Sequence, residues 1–419
     1  MEEQEKAIIV GVNLDDDNFE NSMIELKELT LACEIEVLDK ITQNLDVINS
    51  ALYIGTGKAE EIKQKVDELD ADLVIFNDEL SPSQIKNLQK ILGVPILDRT
   101  SLILEIFARR AKSKEAKLQV EVAKLKYMLP RLVGLHSSLG RQGGSSSVSN
   151  KGSGEKKLEL DRRKIEDEIT KLNRELKEIE KERKVRKRQR EESGIPLVAL
   201  AGYTNAGKST LMNAFVDTYL GDETKKVEEK NMLFATLDTS VRKITLEDNK
   251  TFLLSDTVGF ISKLPHNLVK AFRSTLEEIV DADLIIHVVD YSDDNYKNHI
   301  EVTTQTLNEI GASDIPVIYV YNKSDLVLDN IPVVEDDKIY MSAYRKAGIK
   351  ELTQMIKSKV MNEYVLAKFL IPYDKGNIIT YLKDNATILN IDYNEEGTII
   401  ETECKEKDYN KFIEYVIKK

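Results

Sequence analysis

Cysteine and long apolar runs are scarce in this chain of 419 residues. The two cysteines, Cys33 and Cys404, are far apart, so neither a disulfide framework nor a zinc site is expected, and a reducing cytoplasmic location is predicted. No apolar run reaches the roughly 18 residues that a membrane-spanning helix needs, which predicts a protein without a membrane anchor. Residues 1–6 are acidic and lead into a short strand-like run at 7–10, which does not fit a signal peptide.

The net charge of −13 is unevenly distributed along the chain. Residues 109–190 contain 25 Lys/Arg against 12 Asp/Glu, and seven of the ten residues at 181–190 are basic. A local positive field attracts polyanions whatever the total charge is. We therefore predict contact with RNA for this region, and a solvated helix face is the alternative.

Residues 1–110 alternate short apolar runs with helical patterns. Strands are predicted at 7–10, 35–38 and 73–76, with helices at 23–33, 59–69 and 82–92. This alternation predicts a small parallel α/β domain. The motif Gly55-Thr56-Gly57-Lys58 precedes the second helix and could hold a phosphate of ATP. It is shorter than a full phosphate-binding loop, so a glycine turn leading into a helix is the alternative interpretation.

Residues 111–192 have a purely helical pattern interrupted by one polar segment. Leucine and valine recur at spacings of three and four up to Leu132, and Pro130 should end or kink the first helix near Leu129. Apolar residues at heptad spacing from Leu158 to Ile179 predict a second helix. The segment between them, residues 134–154, is rich in glycine and serine. We predict an antiparallel helical hairpin whose tip is either a contact surface or a slack linker.

A short apolar strand at 197–201 leads into a glycine-rich motif and then into a helix. The motif is Gly202-Tyr203-Thr204-Asn205-Ala206-Gly207-Lys208-Ser209. This pattern, G-x-x-x-x-G-K-S between a strand and a helix, is typical of a phosphate-binding loop. Its glycines let backbone N–H groups approach phosphates, Lys208 is predicted to contact the β- and γ-phosphates, and the Ser209 hydroxyl is predicted to ligate Mg²⁺.

Two further segments are expected to respond to the γ-phosphate. Thr236, within residues 231–240, can complete the Mg²⁺ shell as a second direct ligand. A strand hairpin, 241–246 and 251–255, then leads to Asp256-Thr257-Val258-Gly259. Asp256 is predicted to reach Mg²⁺ through water, and Gly259 can offer its N–H to the γ-phosphate. Lys208, Thr236 and Gly259 are therefore the catalytic candidates.

The base is predicted to be recognised by the motif Asn322-Lys323-Ser324-Asp325, after a strand at 315–321. The Asp325 carboxylate can accept hydrogen bonds from guanine N1–H and its 2-amino group, and adenine would leave it unpaired at a cost of about 1–3 kcal/mol. Lys323 can lie over the base. The segment Ser342-Ala343-Tyr344 suits a loop whose backbone N–H meets guanine O6. These motifs predict a GTPase domain at residues 193–362, with GTP and Mg²⁺ as its ligands.

The residue after Gly259 is Phe260, where many small GTPases have a glutamine that orients the attacking water. Phenylalanine has no hydrogen-bonding group for that task. We therefore predict slow intrinsic hydrolysis that a partner stimulates in trans.

These motifs resemble those of the HflX family of bacterial ribosome-associated GTPases, and the resemblance covers nearly the whole chain. Within the GTPase domain it is carried by the phosphate-binding loop, by Phe234-Ala235-Thr236-Leu237-Asp238 as switch I and by Asp256-Thr257-Val258-Gly259-Phe260 as switch II. Outside that domain it is carried by Asn77-Asp78-Glu79-Leu80-Ser81-Pro82-Ser83-Gln84, Leu97-Asp98-Arg99-Thr100, Gln119-Val120-Glu121 and Leu129-Pro130-Arg131-Leu132.

The resemblance implies binding to the large ribosomal subunit and its 23S rRNA through the hairpin and the tip at 134–154. It also implies a role in splitting, rescuing or recycling stalled ribosomes, or in 50S maturation. One segment departs from the family pattern: Lys151 stands near the usual arginine, Ser153 replaces a proline, and the loop is longer and serine-rich. This departure is compatible with a divergent paralogue that acts after stress or antibiotic exposure.

The residues alone also allow a second functional class, a signalling or scaffold GTPase whose hairpin binds a protein.

Residues 363–419 predict a small α+β domain, with strands at 368–371, 387–391 and 398–404 and helices at 377–383 and 407–417. The predicted fold class is α/β: an N-terminal α/β domain with a helical hairpin, a P-loop GTPase domain and this C-terminal domain.

Overall fold

The computed structural model describes residues 4–132, 149–221, 239–263, 273–361 and 364–417. The chain divides into two compact units. The first unit comprises residues 1–188, 230–238 and 258–276, and the second comprises 189–229, 239–257 and 277–419. The predicted switch I residues 234–238 and residues 134–148 of the predicted tip lie outside the described residues.

The first unit begins with a parallel sheet and its connecting helices. Its elements are β1 (Lys6–Asn13), α1 (Phe19–Ala32), β2 (Glu36–Asn44), α2 (Thr56–Leu69), β3 (Leu73–Phe76), α3 (Pro82–Leu92), β4 (Ile96–Asp98) and α4 (Arg99–Arg110). All neighbouring strands pair in parallel, in the order β2-β1-β3-β4. The predicted α/β fold is confirmed, and β4 and α4 are additions that the sequence patterns did not predict.

Strand β1 is apolar at successive positions because helices cover both faces of the sheet. Ile9 belongs to the same apolar cluster as Leu26 of α1, whereas Ile8 belongs to the cluster that contains Ile62 of α2. Successive side chains of a strand point to opposite faces, so one continuous apolar run serves two cores. Each such fully buried aliphatic side chain contributes about 1.5–3 kcal/mol relative to an exposed one.

Capping boxes determine where α3 and α4 begin. The Ser81 side chain accepts a hydrogen bond from Gln84 N, and the Gln84 side chain accepts one from Ser81 N. Asp98 makes the equivalent exchange with Ser101. Each pair satisfies backbone N–H groups that a helix N-terminus leaves without intrahelical partners. Strand β4 therefore passes directly into α4 at Asp98.

The hairpin consists of α5 (Lys114–Met128), a 3₁₀ turn (Leu129–Arg131) and α6 (Ser149–Ser193). Helix α5 ends at Met128, next to the predicted end or kink near Leu129. Lys114 lies 3.6 Å from Glu175, and Glu115 pairs with Arg183, which places the start of α5 beside the C-terminal half of α6, as an antiparallel hairpin requires. The predicted loop end at residue 154 is wrong, because α6 already begins at Ser149. Once a long helix is nucleated, each further residue gains one hydrogen bond, so the helix can extend through residues of low helix propensity.

The chain continues from residue 197 with the elements of the predicted GTPase domain. These are β5 (Leu197–Gly202), α7 (Lys208–Tyr219), β6 (Ser240–Thr245), β7 (Thr251–Asp256), α8 (Arg273–Val280), β8 (Leu284–Asp290), α9 (Tyr296–Ile310), β9 (Val317–Asn322), β10 (Val333–Glu335), β11 (Lys338–Tyr340) and α10 (Ile349–Val360). The strand order is β10-β11-β9-β8-β5-β7-β6. Strands β6 and β10 are antiparallel to their neighbours, and the five between them are parallel. Ligands of open α/β sheets bind at the carboxyl ends of the parallel strands.

The C-terminal part of the second unit is a three-stranded antiparallel sheet with two helices. Its elements are β12 (Tyr364–Ile371), α11 (Gly376–Asn385), β13 (Thr387–Tyr393), β14 (Thr398–Lys405) and α12 (Glu406–Lys411), and β14 is the central strand. The α+β prediction is confirmed, but the helix predicted for 407–417 ends at Lys411. The chain then turns, and Val416 bridges to Phe369 while Ile417 N donates to Lys368 O at 2.8 Å. The edge of β12 supplies backbone groups that the tail pairs with instead of continuing the helix.

Among the helices in the described ranges, none combines the length and the apolar character that crossing a membrane would require.

Candidate nucleotide-binding site

The predicted phosphate-binding loop connects the end of β5 to the start of α7. Gly202 has a φ of +149°, and a Cβ built there would lie 2.2 Å from the carbonyl oxygen of Val288 in β8. Gly207 has a φ of +93°, and a Cβ there would lie 2.2 Å from Asn322 Nδ2. Only glycine accommodates both the positive φ and the close approach. The two glycines that define the motif are therefore required by the packing of β8 and Asn322 against the loop.

The residues between these glycines are mostly buried. Thr204 and Ala206 are buried, whereas Asn205 is exposed and adopts a positive φ of 61°. The Tyr203 ring stacks on His299 of α9, with ring centroids 3.9 Å apart. The loop is thereby packed on its outer side against α9.

Lys208, the first residue of α7, extends over the loop. Its Nζ donates hydrogen bonds to the carbonyl oxygens of Gly202, at 3.0 Å, and Tyr203, at 2.7 Å. Burial lowers the pKa of Lys208 to about 8, and the negative charge of Asp256 opposes this shift. A buried ammonium group is stabilised by a nearby anion, so a phosphate beside it would raise the pKa again.

Ser209, in the first turn of α7, and Asp256, at the end of β7, form an oxygen-rich pair. Ser209 Oγ donates to Asp256 Oδ2 at 2.7 Å, and the Asp256 side chain is fully buried at the end of β7. The next residue, Thr257, is also buried and donates its hydroxyl to Leu200 O at 2.6 Å. A hydroxyl and a carboxylate are the hard oxygen donors that Mg²⁺ prefers, so these residues fit the predicted metal. Thr236, the other predicted ligand, lies outside the described residues.

Asn322, at the end of β9, joins two loops of the site. Its Nδ2 donates to Ala206 O in the phosphate-binding loop at 2.9 Å. Its Oδ1 accepts from Ala343 N at 2.9 Å. Asn322 and Ala343 are buried, as is Ser342, whereas Tyr344 is exposed. The first residue of the predicted base-recognition motif therefore holds the phosphate-binding loop and the 342–344 loop together.

The two charged residues of the same motif have partners within the second unit. Lys323 adopts a positive φ of 59°, and its Nζ lies 2.6 Å from Asp290 Oδ2. Arg345 Nε lies 2.9 Å from Asp325 Oδ2, and the Arg345 side chain is mostly exposed. Ser324, between them, is buried and donates to Tyr321 O at 2.7 Å. An exposed arginine can move aside at low cost, so Asp325 remains available to a base.

Sequence reasoning missed Asp290, Arg345 and His287. Asp290 ends the parallel strand β8, and a carboxylate directly after an apolar strand was the signal that could have identified it. His287 is buried in the same strand, and burial together with the charge of Lys208 lowers its pKa to about 4. A lone histidine within an apolar strand carries no comparable sequence signal.

Switch II is divided between the two units. Asp256 and Thr257 belong to the second unit, and the chain enters the first unit at Val258. Val258 is buried in the apolar cluster that contains residues of α1, α4 and α5, and Phe260 is also buried. The predicted role of Gly259 stays a prediction.

Three family models match successive parts of the chain. Their descriptions are "GTP-binding GTPase N-terminal" for residues 20–108, "GTP-binding GTPase Middle Region" for residues 110–190 and "50S ribosome-binding GTPase" for residues 197–323. The third model covers the phosphate-binding loop, Asp256 and Asn322. Together the three models match most of the chain.

Individual relatives match over nearly their full length. The GTPase HflX of Caldanaerobacter subterraneus subsp. tengcongensis is 45% identical over 97% of this chain and 93% of its own length. The GTPase HflX of Escherichia coli is 36% identical over 89% and 87%, respectively. Among solved structures, a GTP-binding protein from the archaeon Sulfolobus solfataricus in complex with GDP is 25% identical, covers 85% of this chain and 99% of its own, and has a TM-score of 0.45.

The architecture and the motifs at its strand ends define a P-loop GTPase, a protein that binds guanine nucleotide with Mg²⁺ and hydrolyses GTP. Identity with the curated relatives extends beyond the GTPase domain into the α/β domain and the hairpin. The chain belongs to the HflX family of GTPases, as its motifs indicated.

Proposed function

We propose that this GTPase binds the large ribosomal subunit through its hairpin, contacts 23S rRNA with the segment 134–154, and uses GTP to split, rescue or recycle stalled ribosomes. The observation that carries the proposal is the basic surface of α6. The family description "50S ribosome-binding GTPase" for residues 197–323 supports it. A cytoplasmic location and ATP binding at Gly55-Thr56-Gly57-Lys58 stay predictions.

Two lysines of the basic segment of α6 are exposed and pair with glutamates of the same helix. Lys181 and Lys184 are each 70% exposed and pair with Glu178 and Glu180 one turn away. Such surface pairs contribute about 0–1 kcal/mol each, so an RNA phosphate can compete for the lysines. These two lysines can therefore contact a polyanion, within a segment in which seven of ten residues are basic.

Co-sedimentation with 50S and 70S particles in GDP, GTP and a non-hydrolysable analogue tests binding. We expect the variant Lys181→Gln/Lys184→Gln to bind less tightly and to lower the salt dependence of log Kd by about 1 for each phosphate that it no longer neutralises. The matched control is Lys63→Gln/Lys65→Gln, because these lysines form the same kinds of one-turn pairs on α2. Equal binding by both variants, with little salt dependence, would instead favour a protein partner and a signalling or scaffold role.

Ribosome splitting requires its own measurement. With 70S particles and GTP, we expect light scattering to fall and free 50S and 30S subunits to appear on sucrose gradients. Deleting residues 134–148 should abolish this while leaving GDP affinity unchanged, because the nucleotide motifs begin at Gly202. Binding to 50S without any splitting of 70S would restrict the function to 50S maturation or recycling.

Within the GTPase domain, we propose the following roles for the site residues. Lys208 and the N–H groups of its loop hold the phosphates, while Ser209 and Thr236 ligate Mg²⁺ and Asp256 reaches it through water. Bound Mg²⁺ would neutralise charge on the phosphates. Gly259 N–H is proposed to contact the γ-phosphate. The geometry of Lys208, Ser209 and Asp256 supports these roles.

Base recognition is proposed for the second group of site residues. Asp325 accepts from guanine, Lys323 lies over the base, and the backbone of the 342–344 loop meets O6. The bridge from Asn322 to both Ala206 and Ala343 supports a site in which the phosphate-binding loop and the 342–344 loop are held in fixed positions relative to each other.

Intrinsic hydrolysis should be slow because Phe260 has no group that can orient water. In other GTPases, help from a partner in trans is worth about 10³–10⁵ in rate. Single-turnover hydrolysis with and without 50S subunits measures this directly. An unstimulated rate of about 1 per second would show that the site needs no partner.

A further inference from the structure

Residues 258–263, which comprise the end of switch II and the three residues that follow it, are anchored to the α/β domain by a buried ion pair. Arg99, at the start of α4, is 2% exposed and forms an ion pair with Glu25 of α1. The same guanidinium group donates from Nη2 to the carbonyl oxygen and to the hydroxyl of Ser262, at 3.2 Å each. The Ser262 hydroxyl in turn hydrogen bonds to Glu25. A buried charge pair is costly to separate, so it holds the backbone of Ser262 firmly.

A second polar contact attaches the next residue of the segment 258–263. Lys263 Nζ lies 2.9 Å from Asp78 Oδ1, and Asp78 also accepts a hydrogen bond from the Tyr53 hydroxyl. Val258 and Ile261 add apolar contacts in the cluster of α1, α4 and α5. Switch II therefore has both apolar and polar attachments within the first unit.

Both polar attachments converge on residues 77–81, which we call the 77–81 loop. Asn77 is fully buried and accepts from Arg99 Nη1 at 3.0 Å, while its own backbone N donates to Val10 O at 2.9 Å. Asp78 is the partner of Lys263, and Ser81 caps α3. The loop is thus fixed at both ends by β1 and α3.

The opposite side of the 77–81 loop is attached to the turn that follows α5 in the hairpin. Arg131, in the turn after α5, donates from Nη2 to Leu80 O at 3.0 Å and lies 3.3 Å from Asp98 Oδ2. Leu80 N donates to the same Asp98 oxygen at 3.0 Å, and Tyr127 OH donates to Asp98 Oδ1 at 2.5 Å. The Arg131 guanidinium group also stacks on the Tyr127 ring, 3.4 Å from its centroid. Asp98 is fully buried, so these contacts form in a site shielded from water.

We infer that the 77–81 loop couples the turn after α5 in the hairpin to switch II and the residues that follow it, with Arg131 acting on one side of the loop and Lys263 on the other. Arg99 and Asp78 are positioning residues for switch II in this scheme. Only Glu79 separates Asp78 from Leu80 along the backbone, and both ends of the loop are tied down. A displacement of Leu80 therefore moves Asp78 as well, because no flexible segment lies between them. Switch II is the element with two arrangements that such coupling requires, because GTPase switches change with nucleotide state.

The physiological consequence rests on the proposed function. A ribosome that binds the hairpin would displace Arg131 and Leu80, and the loop would pass this displacement to Ser262 and Lys263. Phe260 lies in the same segment of switch II. The coupling would allow ribosome binding to compensate for the missing water-orienting side chain.

Hydrogen–deuterium exchange in the full-length free protein tests the coupling without a ribosome. The contacts described for Arg131 are with Tyr127, Glu79, Leu80 and Asp98, none of which belongs to switch II. We expect Arg131→Gln to speed exchange in a peptide covering residues 258–263 by about threefold to tenfold, the usual size of coupling through such networks. The matched control is Arg109→Gln, an arginine of the same unit that pairs with Glu105 and donates to Cys33 O. Exchange at 258–263 that is the same in both variants and the wild type would overturn the inference.

A conservative variant distinguishes coupling from a general loss of stability. Arg131→Lys keeps a positive charge beside Asp98. Its ammonium group lacks the planar, fixed donor geometry with which the guanidinium group contacts both Leu80 O and Asp98. We expect it to speed exchange at 258–263 in the same direction, by less than Arg131→Gln. An effect confined to Arg131→Gln and spread over the whole domain would show destabilisation without coupling, and would also overturn the inference.

Single-turnover GTP hydrolysis with 50S subunits distinguishes the inference from the proposed function. Arg131→Gln should keep the wild-type GDP affinity and unstimulated rate but lose about tenfold of the stimulated rate. If wild-type protein is not stimulated, the proposed function is wrong and the exchange experiment alone decides the coupling. If wild type is stimulated and Arg131→Gln is stimulated equally, the coupling is wrong and the proposed function stands.

Discussion

The substitution Asn322→Asp removes one hydrogen bond of the bridge between the two loops and leaves the other in place. Aspartate has nearly the same shape, and its Oδ1 can still accept from Ala343 N, as Asn322 does at 2.9 Å. In the wild type, Ala206 O accepts a hydrogen bond from Asn322 Nδ2 at 2.9 Å. In the variant, the second carboxylate oxygen takes the place of Nδ2 and cannot donate this bond. The site is buried, so water cannot replace the missing donor.

The expected cost follows from these two atoms. Leaving the buried Ala206 acceptor unpaired costs about 1–3 kcal/mol. This corresponds to roughly 5-fold to 150-fold in an equilibrium constant. Because the carbonyl of Ala206 belongs to the phosphate-binding loop, we expect most of this cost to appear as weaker GDP binding. The remainder should lower the urea midpoint of unfolding.

Equilibrium titration with a fluorescent GDP analogue, together with urea unfolding, measures both parts. Asn308→Asp is the matched control, because Asn308 lies exposed on α9 and undergoes the same change of charge. A GDP affinity and an unfolding midpoint for Asn322→Asp that both equal those of the control would refute the bridge as an organiser of the site.

Three further predictions concern neighbouring residues. Asp325→Asn should shift base preference from guanine toward xanthine, measured by competition with GTP and XTP; unchanged GTP affinity would undermine the assignment of Asp325. Gly207→Ala should weaken GDP binding at least about tenfold, because its Cβ would lie 2.2 Å from Asn322 Nδ2, and a near-normal affinity in titration would contradict this. Burial holds the pKa of His287 at about 4, below the unfolded value near 6.5, so the unfolded state binds the extra proton and stability falls as pH falls between these values. The wild type should lose about 2 kcal/mol more than His287→Leu between pH 7.5 and pH 5 in urea unfolding, and parallel pH profiles would contradict the burial of a neutral histidine.

Most of the regular elements could be predicted because their signals are local. The observed bounds of strand β3 and helix α3 coincide with the predicted ones, because a short apolar run and a Ser-Pro helix start with a capping residue are encoded in consecutive residues. Strand β4 has only three residues, which is too short for a periodic pattern to identify. The predicted C-terminal helix, 407–417, is longer than the observed one, which ends at Lys411. The pairing of Val416 with Phe369, which ends the helical course, depends on a strand nearly fifty residues earlier in the chain.

The nucleotide motifs were also readable from the sequence, because each consists of neighbouring residues whose chemistry depends on backbone spacing. The sequence alone determined that this protein is a GTPase with a basic helical hairpin. Tertiary structure alone decided that Asn322 bridges two loops, that Asp290 pairs with Lys323, and that Arg99 reaches Ser262. Arg99 and Ser262 are 163 positions apart. No periodicity or motif encodes contacts between residues so distant in the chain, because they exist only once folding has brought separate elements together and removed water from between them.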